Sequence, residues 1–279
     1  MSTFSATPFG SNIADLYLPF DRGMGTAIDS TVSAVRKLSP DAASILDLGS
    51  GPGEPACTLA AAFPSASVIC SDVAQAMVDL AEKRAKSEGL RNLSTMLLDL
   101  ADLNAVPSAS QDVITANFAI ISTPSLESAL REIQRVLKPG GFLVGTVWQT
   151  FSVPELAKDV MTELLGQPPP PPPIDPMRLA DAALLDAEFS KADLHFMEGH
   201  NTLGDIVFDL GLVSGDSTWK SVMISALGKL EQLETSGDTT ICERAKATVE
   251  KTATAKGLVK EGKLKCPGTF RAFRLTKYA

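Results

Sequence analysis

Residues 45–53 read Ile45-Leu46-Asp47-Leu48-Gly49-Ser50-Gly51-Pro52-Gly53, and Asp72 closes the next apolar run. An apolar strand entering a glycine-rich bend, then a helix start and a second strand ending in an acid, is the layout of a site for a ribose-bearing cofactor. Glycine turns sharply and lets the backbone approach a ligand closely. A carboxylate about 20 residues further on can accept hydrogen bonds from both ribose hydroxyls. The glycine spacing then bears on which cofactor fits. A dinucleotide fingerprint, G-x-G-x-x-G, needs its third glycine at position 54, where this chain has Glu54. That carboxylate would repel a pyrophosphate, and the bend carries no Lys or Arg to offset it. A cofactor without phosphate suits the bend better.

Outward from the bend, the pattern predicts alternating strands and helices. Ser44–Leu48 is the first strand, and Glu54–Phe63 the first helix, stopped by Pro64. Ser67–Cys70 is the second strand. Ala74, Met77, Val78, Ala81 and Ala85 recur at helical spacing up to Gly89. Leu93–Leu98 closes on Asp99 as a third strand, and Asp112–Ala119 reads as a fourth, apolar enough to be buried on both faces. Thr123 as cap and Pro124 at the first helical position introduce a helix with a stripe of Leu126, Ala129, Leu130, Ile133, Val136 and Leu137. Lys138-Pro139-Gly140-Gly141 breaks it, and Phe142–Trp148 is the fifth strand. This is an α/β fold: a doubly wound, mostly parallel sheet with right-handed crossovers.

The motif Asp47-Leu48-Gly49-Ser50-Gly51-Pro52-Gly53 with Asp72, Asp99 and the Lys-Pro-Gly-Gly turn resembles the class I S-adenosylmethionine-dependent methyltransferases, in particular their small-molecule, ubiquinone-biosynthesis-like branch. The resemblance covers roughly residues 40–150 and implies a Rossmann-like, seven-stranded sheet whose last strand is antiparallel, with a helical cap and lid. It implies a single domain over 1–279: an N-terminal lid segment at 1–38, a cofactor-binding core at 40–150 and a helical cap at 201–260. Between core and cap, 151–200 holds the proline tract Pro168–Pro173 as a stiff polyproline spacer, a helix at Pro176–Ala187 and a sixth strand at Lys191–Met197. The last strand falls at 268–277.

By the same resemblance the cofactor is S-adenosylmethionine. Gly49, Ser50 and Gly51 line its methionine part, with Asp47 supporting the bend. Asp72 takes the ribose hydroxyls, Val73 and Met77 lie against the adenine, and Asp99 and the Leu100 amide meet its edge. Asn117 approaches the methionine moiety or the transferred methyl. Each has a plainer reading: Asp72 as a helix cap, Asp99 as a turn acid, Met77 as core. A sulfonium methyl is already activated, so the protein chiefly aligns a nucleophile and excludes water. His200 and Asn117 are the catalytic candidates; His195 lies in an alternating strand. A small, partly apolar acceptor would be enclosed by Tyr17, Phe20, Trp148, Phe151, Phe208 and Trp219, unless these aromatics simply pack the cap. The strand-four end, Asn117-Phe118-Ala119-Ile120, lacks the N-P-P-Y or D-P-P-Y signature of amide and nucleobase methylation.

Composition narrows the classes. The chain has 279 residues, 44% of them hydrophobic, enough for one large domain. With net charge −8 and its 25 Lys and Arg scattered, it carries no footprint for a nucleic-acid backbone. No 18 apolar residues run together and the first 20 residues hold no Lys or Arg, so neither a membrane span nor a signal peptide is expected. Cys57, Cys70, Cys242 and Cys266 show no C-x-x-C spacing and read as free thiols in a cytoplasmic protein with no metal site. Oligomeric state, monomer or homodimer, is not encoded in any motif. Two other functions compete: an NAD(P)-dependent oxidoreductase on a similar sheet, and a methyltransferase-like subunit that binds without turnover.

Overall fold

The computed structural model describes Leu16, Pro19, Phe20 and residues 22–278. The chain divides into two compact units. One, the sheet unit, comprises Gly25–Gln149, Ile174–Gly204 and the stretch from Thr269 on; the other, the cap unit, comprises Thr150–Pro173, Asp205–Gly268 and the described residues before Gly25.

In the sheet unit, α1 (Gly25–Leu38) precedes β1 (Ser44–Leu48), and β1 leads through the glycine bend to α2 (Ala56–Ala62). Then come β2 (Ser67–Asp72), α3 (Gln75–Ser87), β3 (Leu93–Leu97), β4 (Gln111–Asn117), α4 (Leu126–Val136) and β5 (Leu137–Phe151). Further on lie α6 (Ala182–Lys191), β6 (His195–Phe196) and β9 (Lys263–Thr276). The strand order is β3-β2-β1-β4-β5-β9-β6, and β1 pairs in parallel with both β2 and β4. Strand order therefore reverses between β1 and β4, where open α/β sheets bind ligands beyond the carboxyl ends of their strands. β9 runs against β5: the Gly140 amide donates to the Lys277 carbonyl at one end, and Arg271 bonds Gln149 at the other.

The elements form where the sequence makes burial consistent. Ile45, Leu46, Val68, Val113, Ile114 and Val144 lie on neighbouring strands and are almost wholly buried, as expected of a sheet covered on both faces. α4 buries Ala129, Leu130, Ile133 and Val136 on one stripe. At the amino ends, Asp112 ties three strands together, accepting from the Ala43 and Ser44 amides, the Ser44 hydroxyl and Lys138 Nζ. Partial burial would raise its pKa, but Lys138 and Ser44 hold it below the usual carboxylate range.

The cap unit contains α5 (Ser152–Leu165), β7 (Thr202–Leu212, from Asp205), α7 (Asp216–Val222), α8 (Leu227–Thr235), α9 (Ile241–Ala255), β8 (Val259–Lys260) and the start of β9. α9 packs on α5, and β7 and β8 both pair with β9.

The path of the sheet has the seven strands expected, and β7 and β8 are added to it along β9. Three expectations need correction. Thr202–Leu212 is a strand and not part of a helical run, because Ile206, Phe208 and Leu210 alternate inward with exposed Asp205, Val207 and Asp209. The helix expected at Pro176–Ala187 begins at Ala182, since Asp181 caps it by accepting from the Ala183 and Leu184 amides. α4 starts at Leu126 with Ser125, not Thr123, as its cap.

Gly145 on β5 tests the packing. A Cβ there would press on the Ala116 carbonyl and lie 2.5 Å from Phe273 Cζ. Gly145→Ala should lower unfolding stability by about 1–3 kcal/mol through overpacking, read as an earlier midpoint in urea. An unchanged midpoint would contradict this packing of β5 between β4 and β9.

Candidate functional site

The bend after β1 is built from positive-φ glycines and from hydroxyls that face inward. Gly49 has φ +66°, and a Cβ there would come 2.6 Å from the Ala119 Cβ, so only glycine lets the bend lie against the end of β4. Ser50 is buried: its amide donates to the Ser71 carbonyl at 2.8 Å and its hydroxyl to the Asp47 carbonyl at 3.2 Å. The Ser50 side chain thus locks the bend to β2 rather than lining its outer face. Gly51, at φ +54°, is different: a Cβ there would meet nothing within 4 Å, so the bend opens to space at this residue.

Asp72, at the end of β2, accepts from the Gly51 amide (3.0 Å) and from the Ala74 amide (2.9 Å). It therefore joins the bend to the start of α3; the residue is half-buried, and each carboxylate oxygen has a second lone pair for a further donor. Beside it Val73 is 67% exposed and Leu97, paired with Asp72 across β2 and β3, is 53% exposed. Large apolar side chains bare at adjoining strand ends offer a surface for a flat apolar ring. Met77 is buried on the core stripe of α3. Asp99 is exposed and its Oδ1 accepts from the Ala101 amide in a tight turn, with Leu100 half-buried beside it.

Beneath the bend, Asp47 is wholly buried. Thr115 donates to its Oδ1 at 2.6 Å, while Oδ2 has no partner among the described residues. Burial raises its pKa from 3.8 to about 7, although hydrogen bonds from Ser50 and Thr115 oppose the shift. Glu54, in the position of the third dinucleotide glycine, is held by an ion pair with Arg84 from α3. Arg84 is a basic group that the bend's own sequence does not reveal, and it is also engaged by Glu88.

At the end of β4, Asn117 Oδ1 accepts from the Thr31 hydroxyl of α1 at 2.7 Å, and its buried Nδ2 has no partner among the described residues. The next residue, Phe118, adopts φ +53° and stacks on Trp148 at 3.9 Å. Three polar groups that the sequence did not single out, Thr31, Thr115 and Arg84, thus position the expected ones. Their partners come from 30 or more residues away, which no local pattern reports.

The remaining candidates separate. His200 is held by Asp186 at 2.7 Å, receives the Arg274 amide at Nδ1 and stacks on Phe196. It follows β6, three strand positions from β4. His195 bonds Asp193 and stacks on Tyr278. Phe20, Phe151 and Phe208 form one aromatic cluster in the cap unit, with ring centroids 5.3 and 5.5 Å apart. Trp219 is buried there, its indole donating to Asp216, whereas Trp148 belongs to the sheet unit. Tyr17 lies outside the described residues. The four cysteines are free, and no group of His, Cys, Asp or Glu among the described residues could hold a metal. No described helix is long and apolar enough to cross a membrane. A surface cleft of 260 Å³ lined by Glu127, Arg131, Glu188 and Lys191, among others, shares no residue with the bend.

Comparison with known proteins converges on this segment. Residues 45–141 match the protein family described as a methyltransferase domain. The methyltransferase tpcH of Aspergillus fumigatus is 29% identical over 57% of this chain and 55% of its own. Malonyl-[acyl-carrier protein] O-methyltransferase of Methylococcus capsulatus is 34% identical over 46% of each chain. The chain thus spans about half the length of the curated relatives it matches. Among solved structures, YcgJ of Bacillus subtilis superposes with a TM-score of 0.54 at 15% identity, covering 93% of this chain and 99% of that one.

The buried acid beneath the bend gives a pH signature. Because the folded pKa of Asp47 lies above the unfolded 3.8, the native state holds a proton that the unfolded chain releases, and stability falls as pH rises from there to about 7. Asp47→Asn should reduce that slope in denaturant titrations run across the window. An unaltered slope would contradict the burial of an ionisable group at this position.

Proposed function

Since residues 45–141 match the family described as a methyltransferase domain, we propose that the protein transfers the methyl group of S-adenosylmethionine to an O, N or S nucleophile of a small molecule. The observation that carries this reading is the conjunction at the bend: open space over Gly51, the Asp72 carboxylate at its rim and exposed Val73 and Leu97 alongside. The residues fit a nucleoside that bears no phosphate. Glu54 fills the place where a pyrophosphate would need a bare backbone. When bound, the cofactor supplies an activated methyl on a sulfonium.

The chain's own residues then have limited work, which is chiefly alignment. Asp72 accepts from the ribose hydroxyls, its existing bonds to the Gly51 and Ala74 amides holding the carboxylate still. Val73 covers the adenine, and Asp99 and the Leu100 amide meet its edge, while Met77 supports from the helix stripe. Gly49 and Gly51 admit the methionine part close to the backbone, over Ser50 and Asp47. Asn117 offers Nδ2, since Thr31 occupies Oδ1. In-line displacement needs no covalent intermediate, and this reading requires nothing of His200, whose ring is engaged by Asp186.

Two experiments test this. Labelled S-adenosylmethionine incubated with fractionated metabolite extract should label at least one small molecule. Asp72→Asn, which keeps an acceptor oxygen but loses the charge, should weaken S-adenosylhomocysteine binding by about tenfold or more, with a correspondingly smaller thermal shift. NAD should produce no shift in either protein. Unchanged affinity in the variant, or stabilisation by NAD alone, would overturn the assignment.

A further inference from the structure

Arg178, in the sheet unit, is held by backbone carbonyls rather than by a carboxylate. Its Nη2 donates to the Ile120 carbonyl at 3.0 Å and the Thr123 carbonyl at 2.5 Å, in the loop that follows β4. Ile120 is three residues beyond Asn117. No described carboxylate pairs with Arg178, and burial alone shifts its pKa, downward, with no counter-charge opposing it. Its Nε is buried and without a partner, whereas Nη1 is neither bonded nor buried among the described residues. A half-buried guanidinium is costly unless a carboxylate or another anion compensates it. Three other arginines of this unit have such a partner: Arg84 has Glu54 and Glu88, Arg131 has Glu127, and Arg135 has Glu132.

We infer that Arg178 reads an oxyanion on the methyl acceptor, through Nη1, at the carboxyl end of β4. The inference rests on the methyl-transfer reading and adds to it the charge of the substrate. Two carbonyls fix Nη2 and so fix the plane of the fork, leaving Nη1 as a preset donor pair beside the loop that starts at Asn117 and Phe118. Charge-assisted hydrogen bonds from a fixed guanidinium select carboxylate or phosphate groups over neutral isosteres. Arg178 is thus a specificity residue: it places the acceptor and takes no proton.

The test uses the full chain. Metabolite extract is split on an anion-exchange resin, and each fraction receives labelled S-adenosylmethionine. Label should enter molecules from the retained fraction. Arg178→Gln should raise KM about tenfold or more, by loss of a hydrogen bond to a charged group, with kcat little changed, and Arg178→Lys should fall between. An acceptor found only in the unretained fraction, or an Arg178→Gln enzyme with unaltered KM, would overturn the inference. If no fraction is labelled although S-adenosylhomocysteine still binds, the methyl-transfer reading fails. The anion site is then read directly by titrating the S-adenosylhomocysteine complex with malonate and with inorganic phosphate while following arginine side-chain resonances. A saturable shift that vanishes in Arg178→Gln supports the site, and the stronger of the two probes separates carboxylate from phosphate recognition. No saturable shift with either probe overturns it.

Discussion

The bond from the Gly51 amide to Asp72 is the constraint on which the rest of the site depends. It holds a bend with three positive-φ glycines against the end of β2, and the second oxygen of the same carboxylate holds the start of α3. A short loop that must be open to a ligand has few side chains with which to stabilise itself. Here the stabilisation comes from below and from the side: Ser50 and Ser71 both bond the Asp47 carbonyl, and Asp72 closes the outer edge. The bond from the Ala74 amide to Asp72 and the proposed bonds from a ribose, which look like alternatives in sequence, are compatible in three dimensions. A carboxylate already fixed by two backbone amides loses little freedom when it accepts from a ribose.

The electrostatics follow the same economy. Asp47 is buried among β1, β2 and β4, and burial pushes its pKa up to about 7, so below that pH the space beneath the bend carries less negative charge than the sequence implies. Glu54 is neutralised by Arg84. With these two acids silenced, Asp72 is the carboxylate that defines the rim. Arg178 supplies a cation beside the loop that follows β4, so the proposed cofactor and the proposed acceptor meet groups of opposite sign.

The sequence made β1, β2, α3 and β3 legible because each is apolar in the right period and closed by Gly or Asp. Ser44–Leu48 and Leu93–Leu97 differ from expectation by at most one residue. Legibility fails at two places. Ile206-Val207-Phe208-Asp209-Leu210 alternates in a period of two, yet the family pattern placed helix across it, and the helix read from Pro176 begins only after Asp181, a good cap. Asp47, the glycines and Asp72 were readable from spacing. Thr31, Thr115 and Arg178 were not, since each acts on a partner more than 50 residues distant and sits in a stretch whose local pattern is ordinary.

A crystal structure of the protein with S-adenosylhomocysteine measures the central claim most directly. The account predicts the ribose hydroxyls within hydrogen-bond distance of the Asp72 carboxylate, the adenine against Val73, and the amino-acid part over Gly49 to Gly51. A nucleoside bound elsewhere, with Asp72 still bonded only to the Gly51 and Ala74 amides, would contradict it.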